Sequence, residues 1–419
     1  MEKFIVEKSH ALKGVISAGG SKNAALPILA ACVLAKGECI VQNVPPLSDI
    51  EIMLDLLDAL GCKVSRSGDI VAIDSSEAAP LPLESGKVKK IRASFLLAGA
   101  LTARFGSASI PLPGGCSIGL RPVDLHLKGF EALGAVCETE HGIINITAPR
   151  LTGCEIYLDF PSVGATENIM LAAALAEGTT LIRNCAAEPE IADLADFMNK
   201  MGAEVEGAGG DMIKINGVKR LLGCTHRIIP DRIEAGTLML AAAAAGGKIR
   251  LENIRCDHLT ALIHKLRETG AQIAEGDGFL TLEKRGRINN TAIKTMPYPG
   301  FPTDMQAQFM ALMATGRGTG IINETVFENR FMHAAELNRM GADIKVEGRC
   351  AIVKGVRELT GTAVKATDLR AGAALIISAL AAEGTTEIGE IEYIDRGYFH
   401  LEQKLTDIGA RIERKSYDD

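Results

Sequence analysis

Glu167–Asn184, ENIMLAAALAEGTTLIRN, followed by IADLADFMNKMGA from Ile191 to Ala203, carries the pattern that decides the fold. An alanine-rich helical stretch runs up to a glycine at position 178, where a helix C-cap is expected. A short β-rich run follows, TTLIRN. A second, amphipathic helix then closes on a Gly-Ala pair at Gly202. Further short strands complete the unit, as in AEVEGAGGDMIKI.

Working outward, the closing signature recurs at Gly61 (LGC), Gly134 (LGA), Gly202 (MGA), Gly270 (TGA), Gly341 (MGA) and Gly409 (IGA), at spacings of 68 to 73 residues. The glycine that ends the alanine-rich stretch keeps step 23 to 28 residues earlier, at Gly37, Gly106, Gly178, Gly247, Gly318 and Gly384. Two markers in phase six times define an internal repeat, longer than a common solenoid unit, so each unit holds several elements. Alanine lets helices approach closely, which places those helices inside with sheets around them.

Overlaying the units aligns the polar residues. Fourteen positions before the first marker stand Asn23, Arg92, Gly164, Ile233, Asp304 and Arg370, near the starts of the alanine-rich helices. Cys116 and Glu328 lie ten positions beyond it, and Arg396 twelve beyond Gly384. With Lys22, Arg121, Arg330 and Asp368 these residues fall on equivalent edges of the units. Charged side chains gathered on matching edges of two domains predict one site in a cleft, where helix N-termini also favour anions.

Composition narrows the classes. The 419 residues fit two or three domains. A hydrophobic fraction of 47% and a mean hydropathy of +0.16 supply a core. Apolar runs such as LMLAAAAA from Leu238 are too short to cross a bilayer. The N-terminus has no signal-peptide pattern, so a cytoplasmic protein is expected. Ten cysteines without a CxxC pair fit reduced thiols. Eight histidines without HxxxH or HExxH speak against a dedicated metal site. A net charge of −7, no Trp and 4% aromatic residues disfavour a nucleic-acid surface.

Single motifs stay ambiguous. GGSKNAALPI from Gly19 fails the phosphate-loop pattern GxxxxGK[ST], and a capped helix start with a solvated lysine explains it equally well. Asp304 in FPTDMQAQF could be a helix cap or a general base. Glu328 and Arg330 in VFENRFMH could be a surface pair. Asp368, Arg370 and Arg396, in ATDLRAG and YIDRGY, carry the same ambiguity. CDH at Cys256–His258 lacks partners for a ligand set. PGGCSIGLRPVDLH, 113–126, has two readings as well: two glycines can mobilise the loop around Cys116 and Arg121 would favour its thiolate, while an isolated GGC reads first as a glycine turn with a small buried cysteine.

Together, GGSKNAALPI, RASFLLAG, PGGCSIGLRPVDLH, SVGATENIM, PTDMQAQF, VFENRFMH and TDLRAGAAL stand in the order and spacing of one family over essentially the full length. The chain resembles the enolpyruvyl transferases that act on UDP-N-acetylglucosamine. The resemblance implies an α/β fold, a two-domain inside-out α/β barrel of six βαβαββ repeats, three per domain, with helices inside and sheets outside. Residues 21–229 would form the first domain, with the Cys116 lid loop; 1–20 and 230–419 would form the second, with Asp304 and Arg396. The site would lie in the cleft between them, and closure of the domains would exclude water.

The implied reaction moves the enolpyruvyl group of phosphoenolpyruvate to the sugar 3-hydroxyl and releases phosphate, by addition and elimination through a tetrahedral intermediate. It requires no metal and no cofactor. Cys116 would protonate the methylene carbon and could form a covalent adduct, which predicts alkylation by epoxides that mimic phosphoenolpyruvate. Lys22, Arg121 and Arg396, with Asn23 beside Lys22, would hold the phosphate and carboxylate. Arg92, Arg121, Pro122, Val123, Asp124, Leu125, Ser162, Val163, Gly164 and Val326 would contact the UDP-sugar. Asp304 would accept the hydroxyl proton, supported by Glu328, Arg330, Asp368 and Arg370. Small-molecule substrates are the only partners implied, with no nucleic acid, membrane or obligate protein.

Two departures from the family pattern stand out: Phe160 where some members carry lysine, and Gly19-Gly20-Ser21 where SGA is more usual. The rival readings are the sister enzyme acting on shikimate 3-phosphate, which lacks the GGC cysteine, and a non-catalytic UDP-sugar-binding paralogue. A cysteine hydrolase would need a histidine base, and the spacing of His126 does not establish one.

Overall fold

The computed structural model describes residues 2–79, 95–112 and 123–416. Within these the chain divides into two compact units, one made of residues from 20 to 229 and the other of 2–19 with 230–416.

The second unit contains three four-stranded sheets of one design: a parallel outer pair, then two antiparallel neighbours. The first runs Leu12–Ser17, Gly247–Glu252, Phe279–Lys284, Gln272–Gly276. The next runs Ala292–Lys294, Thr319–Asn323, Cys350–Lys354, Asp343–Glu347. The last runs Ala363–Lys365, Thr385–Gly389, Glu2–Glu7, Arg411–Ser416, so the N-terminal strand sits inside a sheet of C-terminal strands, with Phe4 opposite both Ile388 and Arg414. In the first unit the same design appears in Thr225–Arg227, Glu38–Gln42, Ile70–Asp74, Lys63–Ser67 and in Glu155–Tyr157, Thr179–Arg183, Met212–Asn216, Glu204–Glu206. A third sheet there has Ser107–Pro111, Ile143–Thr147 and Val136–Glu140 among the described residues.

Alternation along these strands buries one face only, as in the exposed–buried pattern of Thr179–Arg183. The buried faces meet helices that are buried on nearly every side. All nine residues of Gln306–Ala314 are buried, as are Ala165 to Ala173 of Val163–Ala173. Helices without an exposed face, their few polar residues included, belong inside a core. The amphipathic helices behave differently: Pro189–Lys200 buries Ile191, Leu194, Phe197 and Met198 and leaves Asp196 and Lys200 outside. Among the described residues no helix is long and apolar enough to cross a membrane.

The closing signature is a helix stop made the same way six times. Gly61, Gly134, Gly202, Gly270, Gly341 and Gly409 each stand two residues beyond a helix end with φ between +85° and +99°. The N–H of the following residue donates to the carbonyl five residues back: Cys62 to Leu57, Ala135 to Phe130, Ala203 to Met198, Ala271 to Leu266, Ala342 to Leu337 and Ala410 to Leu405, all at 2.9–3.1 Å. This is a Schellman motif, whose left-handed position suits glycine and whose outer residues pack together. That packing explains the small apolar residue after each glycine.

The first marker behaves less uniformly than expected. Gly106 does cap its helix, Leu97–Phe105, with φ +75°. Elsewhere the helix stops earlier: at Ala31, Ala173, Ala245, Ala314 and Ala381. Gly37, Gly178, Gly318 and Gly384 instead occupy positive-φ turns that lead into a strand, and Gly247, also at positive φ, is the first residue of one. Glycine is required there by the turn, not by the helix end.

Candidate active site

Lys22 opens the buried helix Lys22–Ala31, behind Ser21, whose Oγ accepts the Ala24 N–H at 3.3 Å. Its Nζ lies 3.2 Å from Asp49 Oδ2, with both side chains at least nine-tenths buried. Asp49 stands in the first turn of the next helix, Ser48–Ala59. Nothing in its sequence surroundings marks it as a partner of Lys22. Asn23 is half-buried at the same helix start. The second glycine ahead of Lys22 has a steric reason, because a Cβ at Gly20 would overlap the Asn43 carbonyl oxygen.

Val123, Asp124 and Leu125 form the start of the helix Asp124–Ala132, with Asp124 in the first turn, where a carboxylate suits the helix dipole. Ser162 caps Val163–Ala173, its Oγ accepting the Ala165 N–H at 3.4 Å. The two expected sugar-binding segments are brought together by His126, whose ring lies so near Gly164 that a Cβ there would sit 3.2 Å from Cε1. Asn168 fixes that ring: its Oδ1 accepts from the Gly99 N–H, so its Nδ2 donates to His126 Nδ1 at 2.9 Å. Burial pulls the His126 pKa down to about 4, in keeping with a neutral ring that accepts at Nδ1. Phe160, ahead of this cap, is exposed.

In the unit of 230–416, Asp304 lies in the short turn Thr303–Met305 and holds two guanidiniums. Arg330 Nη2 donates to Oδ1 at 2.6 Å and Arg370 Nη2 to Oδ2 at 3.0 Å. Burial alone would raise the Asp304 pKa. The charges of Arg330 and Arg370 and their hydrogen bonds outweigh it and hold the carboxyl far below the usual range. Arg330 also donates to Thr303 Oγ1 at 2.8 Å, and Thr303 in turn donates to Glu324 Oε2 at 2.8 Å. Glu324, 1% exposed, further accepts from Thr295 Oγ1 and the N–H groups of Val326 and Phe327. It thereby sets the backbone at Val326, and sequence reasoning missed it because INETV reads as a plain strand end.

Not every expected residue joins this group. Glu328 is exposed and faces Arg349 at 3.4 Å, so the pairing suggested by its closeness to Arg330 is not made. Asp368 caps Leu369–Ala381, accepting the N–H groups of Arg370 and Ala371 at 2.8 and 3.0 Å. Arg396 is half-buried just after the helical turn Glu392–Asp395. Arg92, Cys116, Arg121 and Pro122 lie outside the described residues. Among the described residues no group of three His, Cys, Asp or Glu side chains is placed to hold a metal ion.

Comparison with known proteins gives this arrangement a family. The model of EPSP synthase (3-phosphoshikimate 1-carboxyvinyltransferase) matches residues 6–405. UDP-N-acetylglucosamine 1-carboxyvinyltransferase 2 of Carboxydothermus hydrogenoformans is 57% identical over 418 residues, covering 99% of this chain and 100% of the relative. UDP-N-acetylglucosamine 1-carboxyvinyltransferase 1 of Caldanaerobacter subterraneus subsp. tengcongensis is 54% identical over 416 residues, covering 99% of each. Among solved structures, the enolpyruvyl transferase NikO from Streptomyces tendae superposes with a TM-score of 0.90 at 26% identity, covering 100% of this chain and 99% of that one. EPSP synthase from Acinetobacter baumannii, at 20% identity and a TM-score of 0.74, shares the mixed α/β fold. Matched from residue 6 to 405 and related end to end at more than half identity, the chain belongs to the EPSP synthase (3-phosphoshikimate 1-carboxyvinyltransferase) family.

Proposed function

We infer that this protein transfers the enolpyruvyl group of phosphoenolpyruvate to the 3-hydroxyl of UDP-N-acetylglucosamine and releases phosphate, the first committed step of peptidoglycan precursor synthesis. The observation that carries this reading is the end-to-end identity of 57% and 54% to relatives named for that transfer. We place the protein in the cytoplasm; that the nine described cysteines are all free supports this.

The reaction needs a base for the sugar hydroxyl, an acid for the methylene carbon and cations for the phosphate and carboxylate. In the addition step the sugar oxygen bonds to C2 of phosphoenolpyruvate, its proton leaves, and a proton enters at C3. In the elimination step the bond from C2 to the phosphate oxygen breaks and a methyl proton leaves, which restores the double bond.

We assign the hydroxyl proton to Asp304. Flanked by two guanidiniums, Asp304 is ionised at any working pH, yet it is a weak base. Proton transfer to it becomes favourable as the sugar oxygen bonds to C2 and grows acidic. Cys116 is assigned the proton for C3. Lys22, Arg121 and Arg396 are assigned the phosphate and carboxylate, with Asn23 beside them; Asp49 keeps the Lys22 ammonium in place. The helix start at Ser162–Gly164, with Arg92, the run Arg121–Leu125 and Val326, is assigned to the UDP-sugar, whose diphosphate suits a helix N-terminus. Arg330 and Arg370 support Asp304 directly, and Asp368 supports it by capping the helix that bears Arg370, whereas Glu328, turned to Arg349, is assigned no contact with them.

The architecture we propose is the inside-out α/β barrel of six units, 21–229 forming one domain and 1–20 with 230–419 the other. Its support is the sixfold helix stop, the three like sheets of the unit of 230–416 and the two of the same design described in the unit of 20–229.

The test is phosphate release from phosphoenolpyruvate with either UDP-N-acetylglucosamine or shikimate 3-phosphate as acceptor. Release with the UDP-sugar, and a product heavier by the enolpyruvyl group, is expected. Release with shikimate 3-phosphate alone would overturn the assignment.

A further inference from the structure

Behind Asp304, in the unit of 230–416, lies a buried hydroxyl hub. Tyr398 is 1% exposed, and its phenolic oxygen lies 3.0 Å from Arg370 Nη1, 3.2 Å from Gln308 Nε2 and 3.0 Å from Thr237 Oγ1. The proton directions follow from the partners. The guanidinium and the amide nitrogen can only donate, so the phenol accepts both. Thr237 Oγ1 is 2.8 Å from the Ile233 carbonyl, which can only accept, so the threonine proton goes there and the phenol donates to threonine. One relay therefore runs from Arg370 through Tyr398 and Thr237 to the backbone of the helix Arg232–Ala245. Gln308, which also donates to the Asp304 carbonyl at 2.9 Å, ties in the helix Gln306–Ala314.

Two further facts tie this hub to the proposed chemistry. Arg370 is 4% exposed and its Nε has no hydrogen-bond partner among the described residues, so Nη1 on Tyr398 and Nη2 on Asp304 carry its anchoring. Tyr398 is also two residues from Arg396, and the turn between them is closed by the Gly397 and Tyr398 N–H groups on the Ile394 carbonyl. A Cβ at Gly397 would overlap Leu369, so this turn rests directly on the helix that bears Arg370.

We propose that the Tyr398 hydroxyl is a positioning residue: it fixes the Arg370 fork against Asp304 and, through its own turn, holds Arg396 in register with that pair. The inference rests on the function proposed above. One oxygen thus sets the distance between the hydroxyl-proton acceptor and a cation for phosphoenolpyruvate. Misplacing reacting groups by about 1 Å costs on the order of a hundredfold in rate.

The experiment compares steady-state turnover of wild type, Tyr398→Phe, Thr237→Val and Thr237→Ser, with Tyr398→Phe repeated in an Asp304→Asn background by single-turnover measurement. Tyr398→Phe is expected to lower kcat about tenfold to a hundredfold and leave KM for the UDP-sugar within about threefold. It should lower the rate no further once Asp304 is asparagine. Thr237→Val should show the same signature more weakly, and Thr237→Ser should restore it. A wild-type kcat in Tyr398→Phe, or an equal fractional loss in both backgrounds, overturns the proposal. If Tyr398→Phe does not fold, the contrast between valine and serine at 237 decides in its place. Absence of turnover in the wild type would count against the proposed function, which separates the two failures.

Discussion

Replacing Asp304 by asparagine keeps the shape of the side chain and removes its charge from between two guanidiniums. Arg330 and Arg370 are 6% and 5% exposed in their side chains, and they lie 2.6 and 3.0 Å from the carboxylate oxygens. Taking one partner from a buried pair costs about 3–5 kcal/mol, because the remaining charge is left uncompensated. The Asp304 side chain is 28% exposed, so water relieves part of this and about 3 kcal/mol is the working figure. For a unit of this size that lowers Tm by roughly 6–12 °C. Loss of the proton acceptor adds a separate effect of about 10²–10⁴ on kcat. The pH dependence has a definite sign. The folded pKa of Asp304 is depressed, so its contribution to stability is fully present above the ordinary carboxylate value of about 3.9 and is lost as pH falls below it. Urea unfolding of wild type and Asp304→Asn should therefore show a constant gap from pH 5 to 8 that narrows in stronger acid. Stopped-flow or coupled phosphate assays at a temperature where both are folded give the rate. A variant that keeps more than about a tenth of wild-type kcat would show that the hydroxyl proton goes elsewhere. A variant as stable as wild type would refute the account of the ion pair.

Other predictions follow from single residues. Glu167 is 4% exposed, and burial, with the charges of Glu190 and Glu188, raises its pKa well above the usual value; the stability that comes from keeping its proton is lost as pH rises, so Glu167→Gln should raise Tm at pH 8 and change little at pH 4. His333 is 2% exposed, and burial pulls its pKa down to about 4, helped by Arg330 against the opposing pull of Asp368. The folded state resists that proton, so His333 should remove about 1.6 kcal/mol of stability between pH 6.5 and 5; His126 adds a share of its own, and the gap between wild type and His333→Leu in urea titrations should change by the His333 part. Gly202 has φ +99° and no atom within 4 Å of an added Cβ, so Gly202→Ala isolates backbone strain: about 1 kcal/mol of lost stability, with unchanged turnover.

What the sequence disclosed depended on how many physical solutions each signal admits. A helix stop with φ near +90° admits almost only glycine, and its outer residue must be small and apolar to pack, so the six closing markers were legible one by one. The alanine-rich segments admit several solutions. The same residues form helix up to Ala31, a 3₁₀ turn over Cys32–Leu34 and a short strand at Ala35–Lys36, which is why the opening marker misjudged where the helices end. In the site, repeat register disclosed position but not pairing. Asp304 and Arg370 stand at equivalent places in successive units, and they meet as an ion pair. Ile233, at the same place one unit earlier, is apolar and buried, and its carbonyl instead receives the Thr237 hydroxyl. The repeat therefore brings equivalent helix starts together, and complementary character at those places decides what they do once there. Asp49, Glu324 and Tyr398 escaped notice for the same reason in reverse. Each acts on a residue far along the chain, or on backbone N–H groups, through contacts that leave no periodic trace. A repeat marks where side chains converge, while the partners that tune them are fixed by packing alone.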